Sequence, residues 1–522
     1  MVFSSLKNKT VNSPAWVNRI IKSKKEYPFF DAVVLVYVAF MLVFQILIQI
    51  SPFVSLISRT PFASMMTYLG GLGGILLAVD VFTTKKVFKG KYCYLLYVIA
   101  LFAGIASVRM LSYGSIKENV FKICHAVIQF ALVYSCVYRL SKETLKKSIR
   151  VILDVIAVIW FVGCIVSIFQ YANLIKYSYV VNPMGMDSSA TRQGFFDNRL
   201  FGIFYTLNHA AYVSLILFIS VLFRIFKQKR IFNRVCLIIA EVVFLFHMIL
   251  TNSRSAMVSF SICSFVAAWL FLRKKEEQDA GFKKKLITVA LSLLLALGCV
   301  LSTKGIKHAL TYLPTANAAV VKFLDKNNVK IFGKSVSELL LLNIDYDEDV
   351  LTRDNLEEDP SNGRLQLWGD YLSLYKDIGL VGISPGSYMA YVCENHDDLY
   401  IVQQTKLEYP DKFESNIIIH VHNGYIMVFV AAGLVGVLSL LAFIALCAKD
   451  VLYVIFKEKN LNKTLICAFL LVIACAVSAM FDEGIFFQSS PQTTIFWLAL
   501  GFIMKECEEY KQLENNYIIV NI

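Results

Sequence analysis

Stretches of about twenty mostly apolar residues recur along the chain, for example over 32–50 and 286–301. As helices rising 1.5 Å per residue, such stretches match a hydrocarbon core of roughly 30 Å. Composition points the same way, because 57% of the 522 residues are apolar and only 17% are charged. A soluble multidomain array, intrinsic disorder and nucleic-acid binding are poor fits to those values. The expected fold is an all-α integral membrane protein.

Twelve spans are predicted, at 31–50, 63–82, 92–111, 119–138, 149–170, 200–223, 232–250, 255–272, 286–302, 423–447, 464–481 and 492–504. Even parity puts both termini on one side. The formal net charge of +13 is concentrated in the connections that alternation places with the termini, so the positive-inside rule makes both ends cytoplasmic. The first span follows a basic tail and lacks a small-residue cleavage pattern, as expected of an uncleaved signal anchor. One segment, 303–420, is expected outside; it carries 11 basic and 18 acidic residues, a net of −7. The resulting division is 1–302 for spans one to nine, 303–420 for the extracytoplasmic segment, 421–505 for spans ten to twelve, and 506–522 for a cytoplasmic tail.

Of twelve cysteines only Cys393 falls in the outer segment, and none shows CxxC spacing, which argues against a disulfide framework or a Cys-based zinc site. No metal and no cofactor is expected. The acidic run Asp345-Tyr346-Asp347-Glu348-Asp349 fails as an EF-hand, having Val350 where Gly is required and Leu356 where Glu is required; it reads as a solvated loop. From Arg364 to Ile378, the residues Leu365, Trp368, Leu372, Tyr375 and Ile378 recur at helical intervals, predicting an amphipathic helix on the membrane surface.

A group transfer outside the membrane has no nucleotide-activated donor at hand, so a lipid-linked phosphate or pyrophosphate would have to leave, and arginine suits that task. Arg199 at the start of the sixth span and Arg254 in Thr251-Asn252-Ser253-Arg254-Ser255 are candidates, against the alternative of arginines snorkelling at helix ends. His422 opens the tenth span in His420-Val421-His422-Asn423-Gly424, with Gly433 and Gly436 following. At 100° per residue both glycines lie beneath the imidazole, predicting a groove for a lipid chain or a neighbouring helix. Near its ordinary pKa an imidazole there can accept a hydroxyl proton; an interfacial histidine bonded to backbone is the plainer reading.

The run His422-Asn423, nine residues, then Gly433-Leu434-Val435-Gly436 resembles the H[NSQ]x9GxxG pattern of bacterial O-antigen ligases and the related Wzy-type polysaccharide polymerases. Asn198-Arg199-Leu200-Phe201-Gly202-Ile203-Phe204 with Asn208, Thr251 to Ala256, and Gly363-Arg364 with Trp368 followed by Gly382 to Tyr388, resemble further family segments in the same order. The resemblance covers about 200–445. It departs from the family's RxxxL element, since Arg364 is followed at that spacing by Trp368 and Arg254 by Val258.

The resemblance implies metal-independent, inverting glycosyl transfer from an undecaprenyl-pyrophosphate-linked oligosaccharide at the outer face of the bacterial cytoplasmic membrane. It assigns His422 as base or orienting group, Arg254 and Arg364 as catalytic pyrophosphate holders, and Arg199 as a further contact. Asn208, Asn423, Asp482 and Glu483 become substrate-binding candidates. The bilayer, and a chain-length regulator or flippase of the same pathway, are the partners implied. Glu241 with His247, and Lys122 with His125, are ionisable residues at membrane depth and favour a competing transporter or flippase reading. A peptidoglycan polymerase would want a catalytic carboxylate where this chain has His422.

Overall fold

Long apolar segments can satisfy their backbone in lipid only by closing hydrogen bonds within themselves, and this chain does so as helices. The computed structural model describes residues 28–58, 60–113, 116–180, 190–273, 281–331, 334–340, 361, 363–458 and 461–520. The protein is an all-α integral membrane protein. Among the described residues nine helices are long and apolar enough to cross a membrane, and Cys93–Arg109 and Lys463–Ser478 are shorter apolar helices. Each of the twelve expected spans coincides with a helix for most of its length, the last within Pro491–Val520. The basic N-terminal tail and the acidic run 345–359 lie outside the described residues.

Several boundaries differ from the expectation: the fifth helix opens at Lys142, the tenth runs on to Lys457 and the last to Val520, into the segment expected as a tail. The ninth helix, Phe282–Thr311, continues past 302, and Leu313–Lys326 follows directly. The sixth begins at Leu207, because 199–202 is not helical. Instead β1 (Lys176–Val180), β2 (Ala190–Phe196) and β3 (Arg199–Gly202) form an antiparallel sheet in the order β1-β2-β3. Phe196 pairs with Arg199 across Asp197 and Asn198, whose φ values of 47° and 56° are those of a type I′ hairpin turn. The tenth helix, Gly424–Lys457, starts two residues after His422.

The amphipathic segment has a second apolar face besides the expected one. Arg364–Ser373 and Tyr375–Ile378 bury Leu367, Tyr371, Leu374 and Ile378, while Leu365, Leu372 and Tyr375 stay exposed. The face predicted to meet the membrane is therefore mostly outward, and a second apolar face packs on the bundle. Tyr371 fixes that packing, its hydroxyl donating to Ile419 O at 3.0 Å.

The glycine face below His422 is not an open groove. Gly433 has φ 67° and ψ −164°, so Gly424–Lys457 kinks there. The chain at 379–383 fills the space: Leu434 N donates to Gly379 O (3.0 Å), Val435 N to Leu380 O (3.3 Å) and Ile383 N to Val430 O (2.8 Å). The kink leaves backbone groups unpaired within the helix, and the inserted loop supplies their partners.

Three of the four ionisable groups singled out at membrane depth are tied to neighbouring segments, whereas Glu241 is buried with no hydrogen-bond partner for either carboxyl oxygen among the described residues. His247 Nδ1 bonds Ser214 Oγ at 2.9 Å, and the Ser214 hydroxyl also accepts from Trp160 Nε1. His125 Nε2 lies 3.2 Å from Met66 O and packs on Gly70. Lys122 Nζ donates to Pro385 O at 2.9 Å and so helps hold the inserted loop.

Candidate functional site

His422 is placed by its backbone. It sits at φ 49°, a left-handed conformation costly for a side-chain-bearing residue, just before the helix N-cap at Asn423. Asn423 Oδ1 accepts from Tyr425 N (3.0 Å) and Ile426 N (3.1 Å), and Nδ2 donates to Met480 O (3.2 Å). Its amide is thus engaged in capping the kinked helix and tying it to the connection at 479–490. Replacing it with Ala should cost about 1 kcal/mol of stability, and Asn423→Asp should restore most of that, as thermal unfolding of the purified protein would show.

The adjacent acidic pair organises two histidines. Asp482 Oδ2 lies 2.7 Å from His209 Nε2, and its backbone carbonyl accepts from Gly424 N at 3.0 Å. Glu483 Oε1 accepts from Val421 N (2.9 Å) and from the Tyr388 hydroxyl (3.4 Å), and lies 3.7 Å from His420 Nδ1. Glu483 therefore holds the peptide immediately before His422. Burial would push both carboxyls up, but His209 beside Asp482 and His420 beside Glu483 hold them below the usual range, so both are ionised at neutral pH.

Burial is the largest influence on His422 and lowers its pKa below the ordinary 6.5; Asp482 and Glu483 oppose this, while His420 and Arg364 add to it. The imidazole is neutral at pH 7, as a proton acceptor must be. Arg364 opens its helix half-buried, with its guanidinium 5.9 Å from the Phe481 ring centroid.

A second group is built on the β3 hairpin. Arg199 donates through Nη2 to Asn208 Oδ1 (3.3 Å) and through Nε to Thr251 O (3.4 Å). Ser253 Oγ donates to the same Asn208 oxygen at 3.1 Å and lies 3.2 Å from Ser255 Oγ. Arg254, between these serines, begins the helix Arg254–Arg273 and is half-buried. Asn252, at φ 52°, bonds Asn198 O and accepts from Lys307 Nζ at 3.0 Å, bringing a further cation to this turn.

The two groups meet at consecutive residues: Asn208 belongs to the arginine group and His209 to the acidic pair. Tyr212, one turn further along the same helix, lies beside Ser255 and within electrostatic reach of Asp482 and Arg364. An imidazole, a carboxylate pair and several guanidinium groups thus converge from segments far apart in sequence. Such a site can accept a proton and neutralise a phosphate-bearing leaving group.

His209, Tyr388 and Lys307 carried no assignment from sequence. A histidine adjoining Asn208 at a helix end was the available signal for His209. The hairpin at Asp197-Asn198, flanked by Phe195-Phe196 and Leu200-Phe201, was the one for β3.

The O-antigen ligase family model matches residues 239–441. That range includes Arg254, Arg364, His422, Asn423 and the kink at Gly433. No curated protein matches the chain.

Proposed function

We propose that this chain, which carries the O-antigen ligase domain at residues 239–441, polymerises or ligates undecaprenyl-pyrophosphate-linked glycan repeats at the outer face of the bacterial cytoplasmic membrane. The supporting observation is the half-buried His422 imidazole, kept neutral by burial, which feels the opposing charges of the acidic pair and of Arg364. The family supports ligase- or polymerase-like glycosyl transfer in general.

In this reading the acceptor hydroxyl attacks the anomeric carbon opposite the pyrophosphate. The new glycosidic bond forms as the bond to the pyrophosphate oxygen breaks, and the hydroxyl proton passes to His422. The bonding pair leaves with the lipid pyrophosphate, whose growing charge is met by Arg364 and Arg254, with Arg199 behind them. Asp482 and Glu483 are positioning residues that fix His209 and the 420–422 backbone. No step is routed through a metal.

The test uses membranes containing the full chain, a lipid-linked repeat unit, and readouts of chain elongation and lipid pyrophosphate release. Arg364→Ala and Arg254→Ala should each lower turnover by about 10²–10³-fold, the range for losing one charge-stabilising donor. Wild-type turnover in both would defeat the arginine assignment. Flux of the glycan into sealed vesicles without a new glycosidic bond would favour a transporter.

A further inference from the structure

We infer that the bundle carries an anionic phospholipid site on the membrane face opposite His422. A cleft between helices has an apolar wall that includes Leu42, Phe223, Ala468 and Leu498, and a rim formed by Lys146, Arg150, Arg224 and Lys227. These cations come from different segments. Lys146 and Arg150 are in the first turns of Lys142–Ala172, Arg224 and Lys227 lie at the end of Leu207–Ile225, and Thr464, which accepts from Lys227 Nζ at 3.0 Å, starts Lys463–Ser478.

The placement follows from helix geometry. His209 is in the first turn of Leu207–Ile225 and Lys227 lies just beyond its last, so about 27 Å of helix, close to a bilayer's hydrocarbon thickness, separates them. Likewise Lys463 opens its helix and Asp482 lies past the other end. The cleft is thus on the far face from the acidic pair, and the inference stands whether or not the proposed reaction is correct.

Charge selects the occupant. Asp154 pairs with Arg224. Burial and the nearby Arg150, Lys146 and Lys463 all disfavour the Lys227 ammonium, so the rim presents like charges that repel one another. A phosphodiester at the rim relieves that repulsion, and its acyl chains continue into the apolar cleft. A soluble phosphate satisfies the rim but leaves the cleft wall unmatched. The occupant assigned is therefore an anionic glycerophospholipid from the adjoining leaflet.

The experiment titrates the purified full chain in detergent with phosphatidylglycerol, with phosphatidylcholine of matched chains, and with glycerol 1-phosphate, reading apparent affinity by native mass spectrometry and thermal shift. Phosphatidylglycerol should bind preferentially. The variant Lys146→Gln/Arg150→Gln/Lys227→Gln should weaken it on the order of 100-fold, roughly fivefold per charge, and leave phosphatidylcholine unchanged. Ala468→Phe, which fills the cleft and keeps every charge, should weaken it too and carries the test if the triple variant does not fold. Equal binding of the two lipids, undiminished phosphatidylglycerol binding in either variant, or equally tight binding of glycerol 1-phosphate would each overturn the site.

Discussion

His422→Gln should reduce glycosyl transfer by about 10²–10⁴-fold with little change in thermal stability, the range for removing a general base. Glutamine keeps a polar side chain at the rim but cannot take up a proton, so the comparison isolates proton acceptance from packing. The pH profile supplies a second reading. Because burial lowers the His422 pKa, the wild-type rate should hold at neutral pH and fall only as pH drops below the ordinary imidazole value of 6.5. Asp482 favours the imidazolium, so Asp482→Asn should move that acid limb to lower pH. Arg364 disfavours it, so Arg364→Gln should move the limb to higher pH while also lowering its height. Wild-type turnover in His422→Gln, or an acid limb unmoved by either neighbour, would remove His422 from the role of base.

Gly433→Val should give the largest structural loss. Gly433 occupies φ 67° and ψ −164°, a region open essentially to glycine alone, and a Cβ there would lie 2.4 Å from the Leu380 carbonyl and 2.5 Å from Val381 N. Those neighbours are backbone and cannot rotate away. Strain of about 1–3 kcal/mol and overpacking of about 1–3 kcal/mol together predict a loss of about 2–6 kcal/mol. Undocking of 379–383 should follow, with loss of its backbone bonds to Val430, Leu434 and Val435. Gly104→Ala is the control, since nothing lies within 4 Å of its Cβ and alanine suits a helix better. If Gly433→Val unfolds at the wild-type temperature, the kink is not what anchors the loop.

Helix positions were readable because hydropathy is a local property: a run of apolar residues is a span wherever it packs. Short-range motifs were readable for the same reason, and His422, Arg254 and Arg364 were singled out from their neighbours in the chain. The hairpin was missed because Leu200-Phe201 continues an apolar run into the helix at Leu207, so hydropathy registers no break while Asp197-Asn198 turns the chain. The groove prediction assumed regular helical phase through Gly433, and the kink invalidates that phase.

The same division holds for the site. Sequence by itself determined that this chain is a helical membrane protein and where its chemically suggestive residues fall. Tertiary structure alone decided the pairings: His209 with Asp482 across 273 positions, and Glu483 with the peptide before His422 across 62. A hydrogen bond depends on atoms within about 3 Å in space, and spacing along the chain carries no record of which distant segments packing will bring to that distance.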